Sequence, residues 1–352
     1  MLRQRIPGIA PGYEDLDDHD GLRLDPLLAA ACGRADVPGR ARHQAPGKGR
    51  SLAGKSTLKR LETGAWRRPG LHKIEAHAER IEALLLREGA KAIPRRSRAI
   101  VPDFDATDDT IRGGQEGSFH HGCYRDYRHL PLYCFRGDIP LRAHLRTPGR
   151  DAGDGTVEAL GKIVAAIRER FGRQVMIVVR GPGFCREQTM AWIEAQPDMR
   201  YVLGLARNNR LEGMLAPFFR ETAAQLEGIA RAFAELRYRT IDIWSRERRV
   251  IGKAGLTGGG ENPRFIVTGI GAGEQWAGGL AEFADGRSLH EVFYRARGDM
   301  EKRIKEQPLD MFADRTSSTS GMKAKQLRLW FPTFSCLLVR HLRAAAGTIR
   351  LR

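Results

Sequence analysis

Two separated groups of residues have the types and spacing that phosphoryl-transfer chemistry requires. The first is the run Ile100–Phe104, which has the character of a strand and is closed by Asp105. The second lies far downstream, where Tyr294, Arg297 and Glu301 recur at spacings of three and four residues, as on one face of a helix. Carboxylates at a strand end, joined by a distant helical Glu, form the oxygen-rich pocket that Mg²⁺ prefers. The pattern therefore predicts metal-dependent phosphoryl transfer.

Each group also has a purely structural interpretation. A cluster of aspartates from Asp103 to Asp109 is typical of a solvated turn. Arg297 followed by Glu301 is also a common exposed ion pair on a helix. The residues alone leave both interpretations open.

The charge balance of the chain favours a polyanionic partner. The 352 residues include 59 Lys plus Arg and 42 Asp plus Glu, which gives a net charge of +17. Basic surfaces bind nucleic acids because the neutralised phosphates release their counterions. A codon bias toward Arg would produce the same composition, so charge alone does not identify the partner.

Other classes of protein are disfavoured. The N-terminus has no apolar signal-peptide core, and the uncharged stretch Leu329–Val339 is short and contains Pro332, so no membrane span is expected. The 5 cysteines are scattered without paired spacing, which predicts reduced thiols rather than a zinc site or disulfides. We expect a cytoplasmic protein.

The hydrophobic pattern predicts an α/β fold, a mixed sheet flanked by helices and interrupted by a β-rich insertion, behind a mainly helical N-terminal segment. The expected division is 1–98 for the helical, basic segment, 99–206 for the first part of the core, 207–286 for the insertion and 287–345 for the rest of the core. Predicted strands are 99–105, 130–135, 139–145, 175–179, 201–205 and 265–270, with β-ribbon at 237–244 and 249–253. Predicted helices include 157–171, 289–306 and 322–343.

Seven segments, in this order, resemble successive signatures of the DDE-group-1 insertion-sequence transposases. They are Gly12–Asp20, Leu52–Leu58, Asp103–Asp109, Tyr201–Asn208, Trp244–Val250, Asn262–Phe265 and Phe312–Ser317. The resemblance covers most of the chain. It implies a ribonuclease-H-like core with a β-rich insertion before the last catalytic Glu, and a DNA transposase that cleaves and transfers strands with Mg²⁺ or Mn²⁺. It also implies a homodimer assembled on transposon ends and target DNA, in a bacterial, nucleoid-associated protein.

The resemblance assigns roles to individual residues. Asp105 takes the place of the first catalytic carboxylate and Glu301 that of the last, and both are expected to bind metal. The residues expected to support catalysis by contacting the DNA phosphate are Tyr294, Arg297 and Lys305. The basic insertion supplies the expected DNA-backbone surface, with a solvated β-ribbon as its alternative, at Arg246, Arg248, Arg249, Lys253 and Arg264.

One catalytic position of the family is missing. The second aspartate should follow the strand at 175–179 in an Arg-small-Asp-Ser-Gly-Phe turn, but this chain has Arg180-Gly181-Pro182-Gly183-Phe184. The nearest acid, Glu187, is predicted to lie on the next helix and is not expected to replace it. The sequence therefore predicts a degenerate copy with impaired cleavage, and the alternative is a catalytically dead, DNA-binding remnant.

A second alternative is a P-loop ATPase, because Gly49–Ser56 satisfies the P-loop pattern. That mechanism requires a buried strand leading into the loop, whereas the preceding residues 34–46 are basic and broken by Pro and Gly. We therefore expect no nucleotide binding.

Overall fold

The computed structural model of the chain describes residues 1–41, 45–64, 76–106, 109–110, 119–121, 126–146, 153–225, 231–257, 260–274, 283, 285–298, 302 and 321–348. Its helices are α1 (Leu2–Ile9), α2 (His19–Leu22), α3 (Pro26–Ala31), α4 (Lys55–Gly64), α5 (Ala78–Ala92), α6 (Thr156–Phe171), α7 (Glu187–Glu194) and α8 (Asn209–Gln225). Three consecutive helical stretches, Gly286–Ser288, Leu289–Tyr294 and Arg295–Arg297, are together called α9, and the last helix is α10 (Met322–Thr348). Short 3₁₀ turns lie at Ala45–Gly47 and Gly172–Gln174.

The strands are β1 (Ala99–Ile100), β2 (Asp103–Ala106), β3 (Asp109–Thr110), β4 (Phe119–His121), β5 (Asp126–His129), β6 (Leu132–Arg136), β7 (Ile139–His144), β8 (Met176–Gly181), β9 (Met199–Leu205), β10 (Arg231–Tyr238), β11 (Arg248–Thr257), β12 (Gly260–Glu261) and β13 (Arg264–Thr268). The main sheet has 10 strands, and its principal order is β10-β11-β13-β9-β8-β2-β6-β7. A separate sheet of 3 strands has the order β3-β5-β4.

The main sheet is mixed. The strands β2, β6 and β7 are antiparallel, β8 is parallel to β2, and β9 is parallel to β8. The parallel strands are reached through α6 and α7, which parallel pairing requires. The mixed α/β architecture predicted from the sequence is therefore confirmed.

The strands of the expected insertion continue the core sheet. The strand β13 pairs with β9, β11 with β13, and β10 with β11, all antiparallel. The predicted ribbon at 237–244 is wrong in its bounds, because β10 ends at Tyr238 and residues 239–247 form a loop. The Trp244 amide donates to Thr240 Oγ1 at 2.8 Å within that loop, so a local turn replaces strand pairing.

The two faces of the main sheet have different covers. The larger hydrophobic core joins one face, including Phe104, Val179 and Tyr201, to apolar residues of α5, α6, α7, α8 and α10. On the opposite face, Val178 and Val202 pack with Leu289 and Phe293 of α9. Successive side chains of a strand point to opposite faces. In each strand of the main sheet, every second residue therefore lies on the side of α9, and the residues between them face the larger core.

In the part of the chain that the structure describes, no helix combines the length and apolar character needed to cross a membrane.

Candidate active site and basic surface

The strand β2 directs two aspartates toward the face that α9 covers. Phe104 lies in the larger core on the opposite face. Asp103 and Asp105, on either side of it, therefore share the α9 face. Asp103 is buried and Asp105 is half-buried. The expected catalytic position, Asp105, thus lies near the end of β2, on the side where the helix of the second motif packs.

Asp103 is held by an arginine from the neighbouring parallel strand. Asp103 and Arg180 are register partners in β2 and β8. The Arg180 guanidinium donates to both carboxylate oxygens of Asp103, with an Nη2–Oδ2 distance of 2.7 Å, and also to the carbonyl oxygen of Phe293. Arg180 therefore ties β2, β8 and α9 together at a buried point next to Asp105.

The turn after β8 begins next to β2. Asp103 is the register partner of Arg180 in these parallel strands, β8 ends one residue later at Gly181, and Pro182 is the first residue of the turn that follows. A Cβ atom on Gly181 would lie 2.6 Å from the carbonyl oxygen of Phe104, so the two strands approach closely here. The turn in which the resemblance expects the second aspartate therefore begins at the close approach of β8 to β2, and it contains Pro182.

Tyr294 of α9 reaches the same strand ends. A Cβ atom on Gly204 would collide with the Tyr294 hydroxyl and would lie 3.3 Å from the Cα atom of Pro182. The Arg297 guanidinium lies over the Tyr294 ring, 5.5 Å from its centroid. The structure therefore brings Tyr294 against the turn that contains Pro182 and brings Arg297 against Tyr294.

The remaining predicted residues of the metal pocket, Glu301 and Lys305, lie outside the described residues. Among the residues that are described, no group of three or more His, Cys, Asp or Glu side chains has the arrangement of a metal site.

Glu187 is engaged elsewhere. One of its carboxylate oxygens accepts from Ser245 Oγ at 2.6 Å, and the other accepts from Arg248 Nη1 at 2.7 Å. The hydrogen bond from Arg248 lowers the pKa of this carboxyl group despite the opposing effect of burial. Glu187 therefore anchors the loop between β10 and β11.

Two of the five arginine and lysine residues expected to contact DNA are buried. The Arg248 side chain is 2% exposed and bonds to Glu187 and Glu194, and the Arg249 side chain is 6% exposed and lies 2.5 Å from Glu235. Arg249 also donates to the carbonyl oxygen of Ile270. In this conformation neither guanidinium is accessible to a phosphate, which corrects the prediction that both belong to the binding surface.

The other three basic residues are more accessible. The Arg246 side chain is 61% exposed and lies 2.9 Å from Glu194. Arg264 is exposed, and Lys253 is partly exposed with its amino group 3.5 Å from Glu291 of α9. These three positions retain contact with solvent and remain candidates for a phosphate surface.

The P-loop-like segment has no strand leading into it within residues 45–54. The Lys55 amino group lies 3.2 Å from Asp17, and the Lys55 amide donates to Asp20 Oδ1 at 3.1 Å. Asp20 thus caps the first turn of α4, where a P-loop would hold phosphate. This arrangement gives no support to the ATPase alternative.

Two contacts of the site were not predicted from the sequence, namely the Asp103–Arg180 pair and the contact of Tyr294 with Gly204. Both join strands or helices that are far apart in the chain. The available signal was an arginine at the end of an apolar strand, but the pairing depends on a register that one sequence does not specify.

A family model and a solved structure are similar to this chain. The family model described as transposase DDE domain group 1 matches residues 1–351. No curated protein matches the sequence. A cryo-EM structure of piggyBac transposase, a synaptic complex with hairpin DNA, is similar at 10% identity with a TM-score of 0.33, over 69% of this chain and 54% of that one. The chain thus spans about half the length of that transposase. The chain belongs to the transposase DDE domain group 1 family.

Proposed function

We propose that this chain is a DNA transposase whose strand cleavage is impaired because the second catalytic carboxylate is absent. The observation that carries the proposal is the parallel pairing of Asp103 in β2 with Arg180 in β8, because the turn that follows Arg180 contains Pro182 and no aspartate. In the intact family, the carboxylate at Asp105 and one in this turn would lie at the ends of adjacent strands, which are about 4.8 Å apart. Here the turn has no side chain that can bind a cation.

We further propose that β7, β6, β2, β8 and β9 form the ribonuclease-H-like core expected from the resemblance. Three antiparallel strands, followed by two parallel strands reached through helices, support this assignment. The domain bounds 99–206, 207–286 and 287–345 then mark segments of one fold. The sheet that begins in the first segment is extended by β13, β11 and β10 of the second.

The described carboxylates do not form a divalent-metal centre by themselves. Mg²⁺ prefers near-octahedral oxygen ligation and is usually bound through one or two carboxylates together with waters and substrate phosphates. Asp105 would be one such ligand, Asp103 is bonded to Arg180, and the turn after β8 has Pro182. Glu301 is proposed as the remaining acid. With one anionic ligand fewer than its family, the pocket would bind Mg²⁺ or Mn²⁺ weakly.

Within this proposal, the chain's own residues position the DNA. Arg180 joins β2, β8 and α9 through its hydrogen bonds to Asp103 and Phe293, and Tyr294 packs against Gly204 of β9, so these contacts would position the carboxylate edge for DNA. Arg297 beside Tyr294 is proposed to bind a phosphate. The DNA backbone is proposed to contact Arg246, Lys253 and Arg264, and a dimer on DNA remains part of the proposal.

A catalytically dead DNA-binding remnant is the second candidate. The same missing carboxylate favours it, since DNA binding by dispersed basic residues does not require the metal pocket. Binding and cleavage are therefore tested separately.

The test uses a duplex that carries the inverted repeat flanking this reading frame. Binding should be detectable, and log K should fall linearly with log salt, because phosphate contacts release counterions. In the same samples with Mg²⁺ or Mn²⁺, nicking should be slower by about a thousandfold or more than in a relative with all three carboxylates. Absence of DNA binding would contradict the transposase proposal, and complete absence of nicking would favour the remnant.

A further inference from the structure

The loop between β10 and β11, residues 239–247, exposes two isoleucines. Ile241 is 73% exposed and Ile243 is 70% exposed, with the exposed Asp242 between them. Single exposed apolar residues are ordinary on protein surfaces, but two large β-branched residues on one loop form an apolar projection. Such a projection gains free energy when a partner removes it from water.

The loop is held in a fixed shape that does not bury these side chains. Trp244 is buried and packs edge-on against Tyr238, with ring centroids 5.6 Å apart. Its amide donates to Thr240 Oγ1 at 2.8 Å, and Ser245 Oγ donates to Glu187 Oε1 at 2.6 Å. The loop is therefore anchored on both sides of Trp244. The isoleucines are presented without a need for rearrangement.

Arginines flank the projection. Arg239 and Arg246 belong to the loop itself and both are exposed. Arg210 lines a groove of about 500 Å³ together with Ile241 and Ile243, and its Nη1 donates to the carbonyl oxygen of Arg239 at 3.2 Å. Asp242 and Glu247 are the acids of the loop, and with Arg210 the arginines around the tip outnumber them. An apolar projection in cationic surroundings matches duplex DNA, in which stacked bases lie between two lines of phosphates.

On the basis of the function proposed above, we infer that residues 239–247 are a wedge that inserts Ile241 and Ile243 between base pairs of duplex DNA. Proteins that kink DNA insert apolar side chains of this kind and hold the adjoining phosphates with basic residues. Here Arg239 and Arg246 are the adjoining cations. A second copy of the chain is the less favourable occupant, because Arg210, Arg239 and Arg246 of two copies would outnumber Asp242 and Glu247 across a two-fold contact, whereas phosphates neutralise all of them.

The test uses the full chain and a duplex of about 30 base pairs that carries 2-aminopurine at several pyrimidine–purine steps and dyes at both ends. The wild-type chain should raise the 2-aminopurine fluorescence by unstacking, and energy transfer should report a kink of roughly 20–90°. The double variant Ile241→Ser with Ile243→Ser should lose most of both signals. Its affinity at matched salt should stay within about tenfold and its salt slope should be unchanged, because the phosphate contacts remain.

Leu27→Ser is the matched control, since Leu27 is 80% exposed on α3. It should leave unstacking and bending unchanged. DNA binding without any unstacking by the wild-type chain, or equal unstacking by the double variant, would overturn the wedge alone. Loss of self-association in the double variant without DNA, with bending retained, would assign the loop to a protein interface and would also overturn it. Absence of DNA binding by the wild-type chain would overturn both the wedge and the proposed function.

Discussion

At the scale of single residues, Arg180 places a buried positive charge against the first aspartate of β2. Its guanidinium is shared by the Asp103 carboxylate and the Phe293 carbonyl oxygen. Asp105 lies two residues further along β2, on the same face of the strand as Asp103. The turn that follows β8, which contains Pro182 and Gly183, has no carboxylate. Specific backbone approaches at Gly181 and Gly204 fix this geometry. At Gly181 and Gly204 there is therefore no room for a Cβ atom without movement of the neighbouring atoms.

The close approach at Gly181 gives a prediction about stability. Gly181→Ala would place a Cβ atom 2.6 Å from the Phe104 carbonyl oxygen and 2.9 Å from Phe184 Cδ2. Backbone cannot yield as a flexible side chain does, so the free energy of unfolding should fall by about 1–3 kcal/mol. Gly161→Ala is the control, because that helical position in α6 has open space and should gain about 0.5–1 kcal/mol. Urea denaturation measures both, and an unchanged midpoint for Gly181→Ala would contradict the packing described.

Arg248 gives a second prediction at this scale. Arg248→Met removes a buried cation from Glu187 and Glu194, and should lower the free energy of unfolding at neutral pH by about 2–4 kcal/mol. Arg246→Met removes an exposed cation from Glu194 in the same loop, and should cost less than about 1 kcal/mol. A similar loss in the two variants would indicate that burial does not distinguish these arginines.

The pH dependence of this difference has a definite sign. Arg248 lowers the pKa of Glu187 in the folded state, so the carboxylate contributes stability at neutral pH that is lost as pH falls through the folded pKa. Arg248→Met lacks this contribution. The gap between the unfolding free energies of the two proteins should therefore narrow from about pH 7 to about pH 3. A constant gap would show that the ion pair is not its source.

At the scale of elements, β13, β11 and β10 extend the core sheet and carry the basic residues. Adjacent residues of a strand point to opposite faces of the sheet, yet Arg248 and Arg249 of β11 are both buried in ion pairs. The face on which an arginine of β11 lies therefore does not tell whether it is free to contact DNA. Glu291 of α9 lies near Lys253 of β11 and 3.2 Å from Arg231 of β10. These ion pairs fix α9 over the extended part of the sheet.

The distinction between exposed and buried arginines predicts DNA-binding behaviour. Arg246→Gln and Arg264→Gln should each reduce the slope of log K against log salt by about 1, because each would remove one of the phosphate contacts proposed above. Arg249→Gln should leave the slope unchanged at temperatures where the protein stays folded, since Arg249 bonds to Glu235 and Ile270. Fluorescence anisotropy across a salt series decides this. If Arg249→Gln reduced the slope while Arg246→Gln and Arg264→Gln did not, the assignment of exposed arginines to the phosphate surface would be wrong.

Much of the element pattern could be predicted from the sequence. The apolar runs at 139–145, 175–179 and 201–205 became β7, β8 and β9, and the apolar face from Val157 to Phe171 became α6. The loop at 239–247 was missed because Trp244 packs on Tyr238 and Arg248 through tertiary contacts, which override local strand preference. The pairing of Asp103 with Arg180 depends on the register of β2 and β8, and no local signal in either segment specifies it.

At the scale of the whole molecule, the helices α1 and α10 meet at α4. Glu62 of α4 is fully buried and accepts from Arg5 of α1 at 3.1 Å and from Arg328 of α10 at 2.7 Å. Gln326 of α10 exchanges hydrogen bonds with the backbone of Ala143 and Leu145 at the end of β7. The N-terminal helices are therefore attached through α10 to the edge of the main sheet.

Two buried histidines predict how the molecule responds to acid. The pKa of His19 is lowered from 6.5 to about 4, chiefly by burial and then by the charge of Arg5. The pKa of His290 is also lowered from 6.5 to about 4, chiefly by burial and then by the charge of Lys253. Because both folded pKa values are depressed, the unfolded chain binds more protons below pH 6.5, and stability is lost as pH falls toward 4. As the pH falls from about 7 to about 5, each of these histidines should lower the free energy of unfolding by up to about 2 kcal/mol.

Variants identify the source of this acid sensitivity. His19→Gln and His290→Gln should each flatten the dependence of the urea midpoint on pH over that window. His341→Gln, at an exposed position of α10, should leave it unchanged. If the profile of all three variants matches the wild type, the acid sensitivity has another origin.

The most direct test of the central claim restores the missing carboxylate. Replacing Pro182 with Asp-Ser reproduces the turn of the family beside Asp105, and the readout is Mg²⁺-dependent nicking of a duplex bearing the flanking inverted repeat. We predict that the repaired chain nicks at least about a thousandfold faster than the wild type, since a lost metal ligand costs several kcal/mol in the transition state. Asp105→Asn in the repaired chain should abolish the gain. Nicking by the unrepaired chain at the repaired rate, and undiminished by Glu187→Gln, would contradict the assignment of this edge of the sheet as a carboxylate-deficient active site.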